Sequence, residues 1–159
     1  MEIKYVIGDA TRPQGKGPTV IAHICNDIGG WGAGFVLAVS ARWPEPEQQY
    51  HEWHRGRDPG GAPFELGQAQ FVQVEPELWV ANMIAQHGVA SEKGRPPIRY
   101  DALREALGRV AEFVREHRAS VHMPRIGCGL AGGRWEEVGP LVQAELADKG
   151  IPVTVYDRR

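Results

Sequence analysis

The stretch that most constrains this chain is His122–Trp135, HMPRIGCGLAGGRW. Val121 and Met123 read as the end of a buried strand, and Pro124, with no N–H to donate, stops sheet pairing. Gly127, Gly129, Gly132 and Gly133 follow, and helical patterning resumes near Trp135. A glycine-rich turn between a strand and a helix lets backbone N–H groups converge on an anion, helped by the positive end of the helix dipole. A second such stretch sits near the start. Val20–Cys25 (VIAHIC) reads as a buried strand, Asn26–Phe35 (NDIGGWGAGF) carries Gly29, Gly30, Gly32 and Gly34, and a helix starts at about Phe35. In an α/β sheet, loops leaving the carboxyl ends of strands line the ligand crevice. Two glycine-rich loops there suit the two sides of a diphosphate. Neither loop ends in Gly-Lys-Ser/Thr, and no acidic residue stands at the distance a dinucleotide fingerprint requires. A phosphorylated ligand is expected, with ordinary ATP, GTP and NAD chemistry disfavoured.

The remaining pattern supplies a scaffold for these loops. Strands are expected at Ile3–Ile7, Thr19–Cys25, Gln68–Val74, Leu78–Ala85 and Pro152–Tyr156. Leu78–Ala85 (LWVANMIA) is almost continuously apolar, as a strand covered on both faces should be. Helices are expected at Phe35–Trp43, within Glu45–Arg57, at Tyr100–His117 and at Trp135–Leu146, where Pro140 either kinks the helix or starts its main part. Leu103, Leu107, Val110 and Val114 give the third of these a single apolar face. Asp58–Pro63 and Val89–Pro97 read as loops, the latter carrying Lys93 and Arg95. Strands and helices interleave around a hairpin-like middle pair turning at Pro76-Glu77. The order predicts an α/β protein: a three-layer α/β/α domain around a central mixed sheet, one domain over residues 1–159.

Composition narrows the partners. Net charge is −2, so a general nucleic-acid clamp is disfavoured and any phosphate site must be local. No apolar run approaches the roughly 20 residues of a membrane span. Two cysteines, Cys25 and Cys128, and the lack of a signal-peptide pattern fit a reducing cytoplasm. His51 and His54 have metal-like spacing but no third ligand nearby, so they read as a solvated face.

These residues resemble a macrodomain, the ADP-ribose-binding α/β/α family. The likeness is strongest to the branch of the terminal ADP-ribose protein glycohydrolase and the DNA ADP-ribosyl glycohydrolase antitoxin macrodomain. The segments carrying it are Gly8-Asp9, His23–Phe35, Asn82–Gly88, Met123–Leu130 with Trp135, and Val153–Tyr156, in family order over nearly the whole chain. MPRIGCGL is specific to this branch, and HICNDIGGWGAG is also similar to the yeast-type ADP-ribose 1″-phosphate phosphatase. The resemblance implies that Asp9 accepts from the adenine amino group and that Ala10 lies against adenine by backbone. It puts Asn26 near the distal ribose, and Gly32, Ala33, Gly34 and Phe35 in the first phosphate and ribose loop. Arg125, Ile126, Gly127, Cys128, Gly129, Leu130 and Ala131 would form the second, and Tyr156 or Arg158 would flank adenine. No metal, cofactor or prosthetic group is implied. The expected partner is ADP-ribose or an ADP-ribosylated macromolecule, protein rather than nucleic acid, bound by a monomer.

The chain departs from the branch at its chemistry. The branch's hydrolases use a lysine nucleophile near the end of the central strand and an aspartate after the GCGL turn. Here those places read Ala85-Gln86-His87 and Ala131. Neither Gln86 nor Ala131 is a nucleophile or base, and Lys93 lies on a loop several residues away. Three readings remain. One is hydrolysis of mono-ADP-ribosyl esters on acidic side chains by a water-based mechanism, with Gln86 or His87 orienting the water or the leaving carboxylate. Another is an ADP-ribose 1″-phosphate phosphatase that uses His23. The last is a reader that binds ADP-ribose without chemistry.

Overall fold

The computed structural model describes residues 1–58 and 61–158. Six strands form one sheet: β1 (Lys4–Ile7), β2 (Thr19–Asn26), β3 (Ala69–Glu75), β4 (Leu78–Gln86), β5 (Ser120–Met123) and β6 (Val153–Asp157). The spatial order is β1-β6-β5-β2-β4-β3. Every neighbouring pair is parallel except β3–β4, which is antiparallel. The sheet is therefore mixed, and the antiparallel pair is the expected hairpin around Pro76-Glu77. Of the loop expected at 58–63, residues 59 and 60 lie outside the described residues.

Four helices, α1 (Phe35–Arg42), α2 (Glu45–His54), α3 (Tyr100–His117) and α4 (Trp135–Glu145), cover the sheet on both faces. The alternation of β2 sorts the layers. Val20 and Ala22 pack with Leu103, Leu107, Val110 and Val114 of α3 and with Val138 and Val142 of α4. Ile21 and Cys25 pack with Val36 and Val39 of α1, with Tyr50 and Trp53 of α2, and with Trp31 and Trp43. Because both faces are covered, β2 and β4 are apolar nearly throughout and buried over most of their length. β4 lies one strand in from the β3 edge. Pro140 sits inside α4, exposed, with the helix running on both sides of it. No helix among the described residues is long and apolar enough to cross a membrane.

Parallel pairing brings the carboxyl ends of β2, β4 and β5 to one edge of the sheet. Asn26 pairs with Gln86 there. The glycine loops 27–34 and 124–134 both leave from this edge, so the topology brings together two segments about a hundred residues apart in sequence.

Candidate functional site

A cavity of about 230 Å³ opens between the two loops. Ala33, Gly34, Phe35 and Val36 form one wall, and Pro124 to Gly127 with Gly129, Leu130 and Ala131 form the other. His23 and Ile24 of β2 and Gln86 of β4 complete it. A second cavity of about 520 Å³ shares Ile24, Ala33, Val36, Gln86 and Leu130 and continues past Asn26, Ile28, Trp31 and Val89. The two make one cleft along the sheet edge. Its outer rim is apolar, with Ile28, Val89 and Leu130 all exposed.

The first loop is gathered around Asn26. Its side-chain Nδ2 donates to the Gly30 carbonyl at 2.8 Å, and Oδ1 accepts from Ile28 N–H at 3.1 Å and Gly30 N–H at 3.0 Å. The Tyr50 hydroxyl lies 2.7 Å from the Asn26 carbonyl and 2.9 Å from its Oδ1. The resemblance puts Asn26 near the distal ribose; Asn26 lines the second cavity, and these bonds engage its amide with the loop. The knot delivers the chain to Gly34, whose φ of 79° starts α1 with no side-chain cap and no acidic residue in the first turn. Among the described residues no group accepts from the N–H of Ala33, Gly34 or Phe35. Such a bare helix start suits an anion.

The second loop is shaped by close backbone contact. Gly133 N–H donates to the Gly127 carbonyl at 2.7 Å, so a Cβ at Gly133 would stand 2.5 Å from that oxygen. Gly127 has a φ of 73°, and a Cβ there would meet Ile98 at 2.5 Å. Outside the turn, the Arg125 guanidinium donates to Asp157 at 2.6 and 3.0 Å. It lies 5.3 Å from the centres of both the Tyr5 and Trp135 rings. That hydrogen bond holds the Asp157 carboxyl below its ordinary range. Arg125 is thus tied to the flank of the loop. The sequence reading gave the following helix dipole a part here. Instead α4 carries Glu136 and Glu137 in its first turn, and the cavity wall ends at Ala131.

The catalytic candidates separate. Gln86 lines both cavities, its Nε2 donating to Gly88 O at 3.0 Å. His87 lines neither. It is half-exposed, its Nδ1 2.7 Å from Asp27, which also accepts from Gly88 N–H. His87 therefore joins the two strand ends outside the cleft. His23 is in the cavity wall but 1% exposed, and burial pushes it down to about 4 despite its bond to Asn82. At neutral pH it carries no charge. Cys25 is buried and its thiol is pushed up by burial. Burial raises Cys128 as well, and its Sγ lies 3.4 Å from the Ile126 carbonyl. Neither thiol is poised as a thiolate. Lys93 is exposed, in a left-handed conformation, and lines neither cavity.

The residues expected around adenine lie at the ends of β1 and β6, outside both cavities. Asp9 accepts from Thr11 N–H at 2.9 Å and from the Thr11 hydroxyl at 2.8 Å. Burial raises its carboxyl, but these bonds and the charges of Arg158 and Arg12 outweigh that and hold it low. Ala10 is buried beside it. Tyr156 is 2% exposed, with its hydroxyl accepting from Gln14 N–H at 2.7 Å and 2.7 Å from His122 Nδ1. With its ring covered, Tyr156 is placed to support the loop after β1, and Arg158 is the exposed member of the pair. Sequence reasoning missed the walls at Ile28, Trp31, Val36 and Val89. It also missed the Asp27–His87 and Arg125–Asp157 bridges, whose partners are 60 and 32 residues apart.

No protein-family model matches the chain. Among solved structures, a macrodomain protein from Streptomyces coelicolor superposes with a TM-score of 0.84 at 60% identity, covering 98% of this chain and 99% of that one. The macrodomain of Mycobacterium tuberculosis DarG superposes at 0.76 with 22% identity, over 97% of this chain and 96% of that one, a likeness of fold. The chain belongs to the macrodomain family. Chromodomain-helicase-DNA-binding protein 1-like from Danio rerio is 32% identical over 97% of this chain, which spans only 15% of that protein's length. An ADP-ribose 1″-phosphate phosphatase from Candida albicans is 22% identical over 89% of this chain and 92% of its own.

Proposed function

We propose that the cleft binds ADP-ribose and that the protein hydrolyses mono-ADP-ribosyl esters on acidic side chains with an activated water. The observation that carries this reading is the cavity between two anion-suited loops, with the Gln86 amide in its wall. The likeness to a protein named for acting on ADP-ribose 1″-phosphate supports the ligand class. In this reading the pyrophosphate lies between the start of α1 and the 126–131 turn. The terminal ribose then enters the 230 Å³ cavity beside Gln86.

The chemistry needs little from side chains. A carboxylate is a weak base and leaves without a general acid. Water oxygen bonds to the anomeric carbon as the carbon–oxygen bond to the carboxylate breaks. The water proton passes to a ligand phosphate oxygen, and Gln86 orients the water or the departing carboxylate. No lysine among the described residues lines the cavity, so this reading uses water and not a lysine adduct. The phosphatase alternative is disfavoured: the one ring proton of neutral His23 is given to Asn82 Oδ1 at 2.6 Å and is not offered to a phosphate. The net charge of −2 favours a protein over a nucleic acid as carrier.

The test is release of free ADP-ribose from a protein carrying it on glutamate. Gln86→Ala is expected to lower turnover by about tenfold or more with affinity little changed, whereas His87→Ala keeps turnover. Gly129→Glu, at a position where a Cβ meets nothing within 4 Å, should block binding by charge in the cradle while leaving the fold intact. Binding without release would make the protein a reader.

A further inference from the structure

Three buried polar side chains stand in a row across the sheet. Gln70 of β3 pairs in register with Asn82 of β4, and Asn82 with His23 of β2. They are 5%, 0% and 1% exposed. Each orients the next. Gln70 Nε2 donates to the Gln49 carbonyl at 2.9 Å, which turns its Oε1 toward Asn82. Asn82 Nδ2 donates to that oxygen at 3.0 Å and to the Pro46 carbonyl at 3.2 Å. Asn82 Oδ1 is then left facing His23 Nε2 at 2.6 Å, and it can only accept. His23 must carry its proton on Nε2, so Nδ1 is a bare lone pair.

That lone pair has no partner among the described residues. A buried acceptor left unpaired costs about 1–3 kcal/mol, so its persistence calls for a use. His23 is one of the residues lining the 230 Å³ cavity. Two aromatic rings cover it, Trp31 at 5.4 Å and Phe35 at 5.8 Å between ring centres. Trp31 is pinned through its Nε1 to Ser40 at 2.7 Å. Phe35, half-buried at the start of α1, itself lines the cavity and stands between His23 and the space the ligand would fill.

We propose that His23 is a specificity-determining residue, whose Nδ1 accepts a hydrogen bond from a hydroxyl of the sugar beyond the diphosphate once Phe35 turns aside. The inference rests on the ADP-ribose reading of the cleft. Its logic is one of sign. The start of α1 beside it offers N–H donors, unpaired among the described residues, that suit phosphate, whereas this point offers only an acceptor. A phosphate oxygen carries no proton to give it, and a sugar hydroxyl does. The row of amides fixes that polarity, because reversing it would require Gln70 and Asn82 to turn together.

The experiment is nitrogen-15 NMR of the intact protein with labelled histidine at pH 7, titrated with ADP-ribose and, separately, with ADP. The free protein should show His23 neutral with the proton on Nε2. ADP-ribose should shift the Nδ1 resonance upfield, and ADP, which lacks the terminal sugar, should bind without moving it. His23→Phe should weaken ADP-ribose by about tenfold and leave ADP affinity unchanged, the latter reporting that the fold is intact. Binding of ADP-ribose with Nδ1 unmoved, or a proton on Nδ1 in the free protein, would overturn the inference and leave the reading of the cleft standing. Failure of both nucleotides to bind would overturn the cleft reading and this inference with it.

Discussion

In the first glycine loop the backbone wraps one enclosed side chain, Asn26, which satisfies the chain from Ile28 to Gly30 while Tyr50 closes it from α2. In the second loop, among the described residues, no side-chain amide gathers the turn in this way, and its buried side chains, Ile126 and Ala131, are apolar. Gly127 and Gly133 let backbone touch backbone, and the fixing comes from outside, where Arg125 is held between Tyr5, Trp135 and Asp157. Both line one cavity, and glycine content alone does not tell them apart. An internal knot is shielded from solvent and fails as a unit. An external clamp stands in water and contributes little energy by itself. The first loop should therefore be tied to global stability and the second to local geometry.

Acid tests this contrast most strongly. His23 lies beneath the first loop, and His122, at the stem of the second, is tied through Tyr156 to Gln14. Burial pushes both down to about 4 from the ordinary 6.5. Between those values the unfolded chain binds protons that the folded chain refuses. Stability is then full above about pH 6.5 and falls on acidification by about 1.4 kcal/mol per pH unit for each histidine. Urea unfolding across this window should show that slope, and His23→Leu and His122→Leu should each remove about half of it. A flat profile would mean that neither ring is buried neutral.

The next largest effect is expected from Asn26→Ala. It strands the Gly30 carbonyl and the Ile28 and Gly30 N–H groups around a small void, while the Tyr50 hydroxyl keeps the main-chain carbonyl of residue 26, and should cost about 3 kcal/mol. Urea midpoints measure it, with ADP-ribose affinity falling in parallel. A loss below about 1 kcal/mol would put the first loop on the same footing as the second and dissolve the contrast.

Much of this was legible in the sequence because it is written in local patterns. α3 occupies Tyr100–His117, the span its apolar stripe defines, since 3.6-residue periodicity needs no long-range information. The two loops were visible because glycine marks backbone that other residues cannot adopt. What stayed hidden was direction. Asn26 and Arg125 both line the cleft, and the side chain of each is oriented by a partner that no spacing rule identifies: Tyr50, 24 residues away, and Asp157, 32 away. His87 left the cleft for Asp27 for the same reason, and Tyr156 was covered by packing that its strand alternation could not specify. Residue types near a site follow from local sequence, whereas side-chain aim follows from tertiary hydrogen bonds.

Arg125→Met gives the smallest expected change and the sharpest view of the second loop. Methionine keeps an apolar stem between Tyr5 and Trp135 but loses both bonds to Asp157. Both partners are about a third or more exposed, so stability should change by less than about 1 kcal/mol. The sign with pH is set by Asp157, whose carboxyl is held low by Arg125. The pair contributes above the ordinary carboxylate range and is lost as pH falls through the lowered value. Any difference between variant and parent should thus be present at pH 7 and vanish well below pH 4. ADP-ribose affinity should weaken several-fold at pH 7, because the clamp fixes where the 126–131 turn stands rather than whether the protein folds. If stability falls as far as in Asn26→Ala, the clamp belongs to the core of the fold. If neither stability nor affinity moves, the second loop is set by its glycines alone.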